Sequence, residues 1–194
     1  GDLAYVCGAP ALPRWGAALA LAAVDAAAVA RTPSDEPLRY VFAKRTAKRL
    51  RIGLFAARVP TMVVVVLGGL LLWSTARRFG VTAAAVTHAL WCLSPTVLAN
   101  GSLATLDAWE AACLCAVLWA FVRVRERPSV PRAAIVGAAC GAAAACKMTA
   151  LGALPFVGIG LFALVPRGMR APALAGGTLA FVATIWATYA FTLG

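Results

Sequence analysis

The chain has 194 residues, of which 62% are hydrophobic and 13% charged, and it carries a net charge of +11 at pH 7. A water-soluble fold of this length cannot bury so much apolar surface in one core, so the composition excludes a soluble globular domain and indicates an integral membrane protein. The cationic excess favours loops against anionic lipid head groups or an anionic ligand. Nucleic acid is disfavoured because no basic stretch is interleaved with exposed aromatic residues in the way that a nucleic-acid-binding face needs.

The first 52 residues are predicted to form an outer-loop and interfacial segment, followed by a transmembrane helical core over residues 53–194. Residues 15–30 are rich in alanine and contain Asp25, so they fit an interfacial helix as well as they fit a span. Basic residues then recur at helical spacing just before an apolar stretch: Lys44, Arg45, Lys48, Arg49 and Arg51. Such a helix can offer cations to phosphate, and a face against lipid head groups is the alternative.

The core contains apolar stretches of three kinds. Residues 53–75 and 171–193 approach the roughly 20 residues that cross a bilayer, so each is predicted to be a span. Residues 81–98 and 105–122 are shorter, and the cations and glycine around them predict a hairpin. Residues 133–165 are too long for one helix, and Lys147, Gly152 and Pro155 predict two short helices that meet near Lys147. The expected fold class is an all-α integral membrane bundle of several spans, about five to seven helices.

The basic turns predict the orientation in the membrane. Arg77 with Arg78, the turn at 123–132, and Arg167 with Arg170 are placed on the cytoplasmic side because loops on that side are enriched in cations. The loop before Asp107 then faces outward. This arrangement also leaves the basic segment 31–51 on the outer side, so the cation count alone is nearly balanced.

Two carboxylates, Asp107 and Glu110, stand at the start of the apolar run 105–122. An ionisable group near membrane depth costs roughly 2.5 to 3.5 kcal/mol at a helix centre and less toward the interface, so the pair is a candidate functional site. Glu110 follows Asp107 by one helical turn, which places both on one face. The structural alternatives are a helix N-cap for Asp107 and a first-turn carboxylate favoured by the helix dipole for Glu110.

The cysteines and the histidine carry weaker signals. The six cysteines form no CxxC pair and only one histidine is present, so a zinc site is not predicted and the cysteines are interpreted as small apolar packing residues. His88 lies inside an apolar stretch, where a neutral imidazole hydrogen-bonded to a neighbouring helix is expected. Ser102 has no GxSxG setting, so a serine protease is disfavoured.

Three stretches carry a family resemblance in their order and spacing: FAARVPTMVVVVLGGLLLWSTARRFG, then LSPTVLANGSLATLDAWEAACLCAVLWAF, then GAACGAAAACKMTALGALP. Together they resemble the membrane core of lipid-carrier-dependent glycosyltransferases of the dolichyl-phosphate-mannose protein mannosyltransferase type, which are GT-C fold enzymes. In ANGSLATLD, Asp107 matches the acidic residue of the family's second outer loop, with Asn100 in the place of a usual histidine. Lys147 in CKMTAL and Arg58 in ARVP match recurrent basic positions.

The resemblance implies transfer of a sugar from a polyprenyl-phosphate carrier to a protein, lipid or glycan acceptor at the extracytoplasmic face. Asp107, with Glu110 beside it, is then expected to act on the acceptor or to hold a divalent cation through oxygen ligation. Cations are expected at the lipid phosphate, and the candidates are Lys147, Arg58, Lys48 and Arg49. Asn100 is a further candidate for contact with the substrate. The bacterial plasma membrane and the endoplasmic reticulum membrane are both compatible with this activity.

Family members place a leading acidic dyad in their first outer loop. Asp35 and Glu36 resemble that dyad by residue type, but the stretch similar to the segment after the dyad lies before them, so they are the less favoured candidates. The chain is therefore expected to be either a fragment or a shortened relative of the family's enzymes. Two other classes stay open: a small-solute or lipid transporter or flippase subunit, and a non-catalytic membrane scaffold.

Overall fold

A computed structural model describes residues 16, 19–20, 47–103 and 105–190. The regular structure in these ranges is helical throughout, and its α-helices are α1 (Ala47–Ala76), α2 (Val81–Leu93), α3 (Pro95–Ser102), α4 (Leu106–Glu126), α5 (Val130–Cys146), α6 (Leu154–Leu164) and α7 (Arg170–Ala190). Short 3-10 helices lie at Arg77–Phe79, Met148–Ala153 and Arg167–Met169. The all-α fold predicted from the sequence is thus confirmed for the described residues.

Cross-helix contacts define two ends of the bundle. At one end Arg78, just after α1, forms an ion pair with Glu126 at the end of α4, and we call this the basic end. At the other end the Trp109 Nε1 of α4 donates to the Thr61 Oγ1 of α1, and Lys147 after α5 contacts Asp107. Helices α1 and α4 therefore run in the same direction, and α5 runs back. The three basic turns lie together at the basic end, since Arg78 pairs with Glu126 and a Cβ at Gly176, early in α7, would lie 3.0 Å from the Val130 side chain at the start of α5. Their place on the cytoplasmic side stays a prediction.

Helices α5 and α7 pack with their backbones in contact. A Cβ at Gly137 would collide with the carbonyl of Gly177, and a Cβ at Gly141 would lie 2.8 Å from the carbonyl oxygen of Phe181. Small residues permit such close approach between membrane helices, where packing rather than the hydrophobic effect drives association. Later positions on α5 meet later positions on α7, so these two helices are parallel, and the chain returns between them through α6.

A bend separates α2 from α3. Their axes differ by 55°, and the break lies at Ser94, which has an extended backbone and accepts a hydrogen bond from the backbone N–H of Val97. Pro95 explains the break, since its ring disfavours the helical conformation of the preceding residue and suits the first position of a new helix. The sequence stretch 81–98 is therefore two helices rather than the single hairpin arm that we predicted.

Two helical segments among the described residues are long and apolar enough to cross a membrane, Phe55–Phe79 and Arg167–Tyr189, or three if the bent pair is one span. This confirms the two predicted spans but not the total of five to seven. Helix α5 has 17 residues and α6 only 11, while α4 has 21 residues and carries five charged side chains, Asp107, Glu110, Arg123, Arg125 and Glu126. Helix α1 also runs unbroken across the proposed division at 52 and 53, which stays a prediction.

Candidate functional site

The chain breaks between α5 and the next 3-10 helix, at Lys147. Lys147 has an extended backbone, with φ −158° and ψ 133°, and its N–H closes the last turn of α5 on the carbonyl of Ala143. The two short helices predicted to meet near Lys147 are confirmed. Because the backbone leaves the helical path here, the side chains of Lys147 and Thr149 both reach the first turns of α4.

Four side chains meet at this break and form what we call the Lys147 cluster: Asp107, Glu110, Lys147 and Thr149. The Lys147 Nζ lies 2.6 Å from the Asp107 Oδ1 and 4.0 Å from the Glu110 Oε2. The Thr149 hydroxyl donates to the Glu110 Oε1 over 2.6 Å. The Asp107 side chain is 56% exposed, that of Lys147 40% and that of Glu110 15%. The cluster therefore opens outward at Asp107, with Glu110 beneath.

The Lys147 cluster has more negative than positive charge, with two carboxylates around one ammonium. The hydrogen bond to Asp107 and the negative charge of that carboxylate raise the pKa of Lys147 above its usual value, with a smaller contribution from Glu110. Lys147 is therefore a cation at neutral pH. Its ammonium group is available to an incoming anion that can compete with Asp107.

Asp107 does not cap α4, so the N-cap alternative is wrong. Thr105 occupies the N-cap position without a side-chain cap hydrogen bond, and Asp107 lies inside the first turn. Its Oδ1 accepts from Lys147 instead. A carboxylate in the first turn still benefits from the helix dipole, so this position supports the charge of Asp107 as well as its contact with Lys147.

The loop before Asp107 is held by local hydrogen bonds. Asn100 donates from its side-chain amide to the Thr96 carbonyl over 3.0 Å, and the Thr105 hydroxyl donates to the Asn100 carbonyl over 3.0 Å. The Asn100 side chain is thus bonded within α3 and not to the Lys147 cluster. Its proposed contact with substrate stays a prediction.

The predicted basic residues differ in how they relate to the Lys147 cluster. Arg58 is half-buried on α1, one turn before Thr61, whose hydroxyl accepts from Trp109; this places Arg58 at the same end of the bundle as the cluster. Among the described residues Arg58 has no ion-pair partner. Lys48 and Arg49 belong to the first turns of α1, but their side chains are not among the described parts of the structure. Asp35 and Glu36 lie entirely outside the described residues.

A divalent cation at Asp107 also stays a prediction. Within the described ranges no three His, Cys, Asp or Glu side chains come together as metal ligands do. Asp107 and Glu110 supply two carboxylates, and the Lys147 ammonium occupies the space between them. Oxygen ligation by this pair would require Lys147 to move away.

The structure adds two contacts that the sequence reasoning missed, and it confirms one. Thr149 was overlooked because a hydroxyl after a lysine gives no signal of its own, although the KMT sequence places it two residues from Lys147. Cys113 and Cys146 were interpreted as packing residues, yet their sulfur atoms lie 3.9 Å apart. His88 is hydrogen-bonded between its Nδ1 and the Gly69 carbonyl of the neighbouring α1, as predicted.

A family model described as dolichyl-phosphate-mannose-protein mannosyltransferase matches residues 36–191. The match includes helices α1 to α7 and the whole Lys147 cluster. No curated protein and no solved structure gives a match to the chain. Because the family model covers most of the chain, the resemblance seen in the three sequence stretches is confirmed. The chain belongs to the dolichyl-phosphate-mannose-protein mannosyltransferase family, a family of membrane glycosyltransferases of the GT-C type.

Proposed function

We propose that this protein moves a sugar from a polyprenyl-phosphate carrier to a hydroxyl of a protein, lipid or glycan acceptor, at the outward end of the bundle. One observation carries the proposal: Lys147 lies within 2.6 Å of Asp107 and 4.0 Å of Glu110, at a helix break opposite the basic end. Glycosyl transfer needs a carboxylate at the acceptor and a cation at the departing phosphate. The Lys147 cluster supplies both, next to apolar helices that a carrier lipid can reach.

Phosphate binding is the proposed first step, and Lys147 is the group that makes it. In the structure the ammonium is paired with Asp107, which satisfies its charge. A carrier phosphate diester brings a second anion to the same ammonium, and Lys147 moves from the carboxylate to this phosphate. The contact strengthens as the sugar leaves, because the phosphate then gains negative charge. Asp107 is then left without its cation. The exposed position of both side chains lets the exchange occur without opening the core.

Sugar transfer is the proposed second step. The acceptor oxygen forms a bond to the anomeric carbon, the bond from that carbon to the carrier phosphate oxygen breaks, and the acceptor proton passes to the Asp107 carboxylate. Lys147 stabilises the negative charge left on the carrier phosphate. Glu110, fixed by the Thr149 hydroxyl, holds the Lys147 ammonium close to the reaction.

Replacement of the exposed carboxylate tests the proposal. Asp107→Asn and Asp107→Ala, expressed from the protein's own gene, are expected to lower sugar transfer from polyprenyl phosphate by about 100-fold or more in isolated membranes, the range of a lost general base. Glu126→Gln is the matched control, because it removes a carboxylate from the other end of the same helix. If both Asp107 variants transfer sugar at the wild-type rate, the proposal is wrong.

A further inference from the structure

Two thiols lie directly beside the Lys147 cluster, on different helices. Cys113 of α4 and Cys146 of α5 have their sulfur atoms 3.9 Å apart, which is contact distance for two sulfur atoms. Cys113 follows Glu110 by one helical turn, and Cys146 is the residue before Lys147. Both cysteines are free thiols in the structure. The two sulfur atoms therefore lie between the same two helix ends that bring the carboxylates to Lys147.

The surroundings favour bond formation between this pair over the other described cysteines. Cys115 on α4 and Cys140 on α5 are buried free thiols, and no sulfur contact accompanies either of them in the described part. Cys113 is only partly buried, so a reagent can reach it, whereas Cys146 is fully buried behind it. A disulfide requires sulfur atoms about 2.0 Å apart, so these two atoms must approach by about 1.9 Å, the difference from their present contact.

We infer that Cys113 and Cys146 form a disulfide that fastens the end of α5 to the second turn of α4 and keeps Lys147 beside its carboxylates. The Cys113 thiolate attacks the disulfide of an oxidant, either a protein or a small molecule, and releases one thiol. The Cys146 thiolate then attacks the Cys113 sulfur and releases the second thiol. Two cysteine thiols are oxidised, one oxidant disulfide is reduced to two thiols, and the two cysteine protons end on those thiols.

The compartment supports this inference, which rests on the outward orientation of the proposed function. The extracytoplasmic side of a bacterial plasma membrane is the cell surface or periplasm, and that of the endoplasmic reticulum membrane is the lumen. Both are oxidising compartments in which disulfides persist. The basic end is predicted to face the cytoplasm, where thiols stay reduced, and the Cys113 and Cys146 pair lies toward the opposite end.

Thiol counting tests the disulfide directly. Membranes from cells that express the protein are quenched in acid, denatured and reacted with a polyethylene-glycol maleimide, with and without prior reduction. We expect reduction to add two adducts to the wild type and none to Cys113→Ala or Cys146→Ala. The matched control is Cys115→Ala, which removes a different buried cysteine of α4 and should still gain two adducts on reduction. Equal adduct numbers before and after reduction of the wild type would overturn the inference.

The same preparation separates this inference from the proposed function. Adduct counting needs no sugar transfer, so a protein that shows the two-adduct gain but transfers no sugar contradicts the function and leaves the disulfide standing. A protein that transfers sugar with both thiols free contradicts the disulfide alone. If the bond positions Lys147, a reductant lowers the transfer rate of the wild type and leaves that of Cys113→Ala unchanged.

Discussion

The two ends of α4 carry the same kind of contact in different surroundings. At its start Asp107 pairs with Lys147, where two carboxylates surround one ammonium. At its end Glu126 pairs with Arg78 in a region where cations are in excess, since Arg123, Arg125 and Arg127 are close in sequence. The pair at the basic end fits a structural role, in which it links the end of α1 to the end of α4 near the lipid head groups. The two ends thus differ in the sign of the excess charge: two carboxylates around one ammonium can serve an acceptor and a phosphate, whereas an excess of cations suits lipid head groups.

The largest effect is expected for Lys147. Lys147→Ala should lower sugar transfer by about 100- to 1,000-fold, because the charge that forms on the carrier phosphate loses its stabilising cation. Transfer from a polyprenyl-phosphate sugar in membranes is the measurement. Arg78→Ala is the control for loss of a paired cation, and equal losses for the two variants would erase the difference between the ends.

Exchange of the two charges within each ion pair is expected to have the next largest effect. Asp107→Lys combined with Lys147→Asp keeps an ion pair but moves each charge to the other backbone, so transfer should stay about 100-fold or more below wild type. Arg78→Glu combined with Glu126→Arg should retain most of the activity, since that pair is proposed to be structural. Recovery of transfer by the first exchange would show that the pairing itself, rather than the place of each charge, is what matters.

Thr149 should have an intermediate effect. Thr149→Val keeps the side-chain shape and removes the hydroxyl that donates to Glu110, a hydrogen bond to a charged group worth about 1.5 to 3 kcal/mol. We expect a loss of transfer of about 10-fold, with Thr149→Ser close to wild type. Wild-type kinetics for Thr149→Val would show that Thr149, acting through Glu110, does not position Lys147.

The smallest effect is expected at the basic end. Arg78→Ala removes a partly exposed ion pair, and such pairs contribute about 0 to 1 kcal/mol to stability. The thermal midpoint of the protein in detergent should therefore change little, and sugar transfer should stay near the wild-type rate. A severe loss of folded protein would give the basic end a larger structural role than its exposure suggests.

Several parts of the fold were predictable because one local property decides them. The spans near 53–75 and 171–193 follow from apolar length, and the break near Lys147 follows from a charged residue within an apolar run. Pro95 could have predicted the bend at Ser94, but a short apolar stretch does not reveal whether a proline ends a helix or starts a new one. The total of five to seven spans stays a prediction, because α5 and α6 are shorter than the roughly 20 residues of a typical span and only the described residues were compared with that length.

The site was predictable in part. The cost of charge in an apolar run pointed to Asp107, the family resemblance pointed to Lys147, and the structure brings the two side chains together. The contact of Thr149 with Glu110 and that of Cys113 with Cys146 depend on how α4 and α5 are rotated against each other. The close fit of Gly137 on Gly177 helps to position α5, and residues on two separate helices decide that fit. A single sequence carries no direct signal for it.

The proposed reaction requires Lys147 to leave Asp107 and contact the carrier phosphate. The decisive measurement is the binding of the carrier phosphate without its sugar. The Kd of a polyprenyl phosphate is measured for the purified wild type, Asp107→Asn and Lys147→Ala in one detergent. The account predicts that Asp107→Asn binds at least as tightly as the wild type, because a competitor for Lys147 is gone, while it transfers almost no sugar. Lys147→Ala should bind more weakly. Weakened binding by Asp107→Asn, or wild-type binding by Lys147→Ala, would contradict the account.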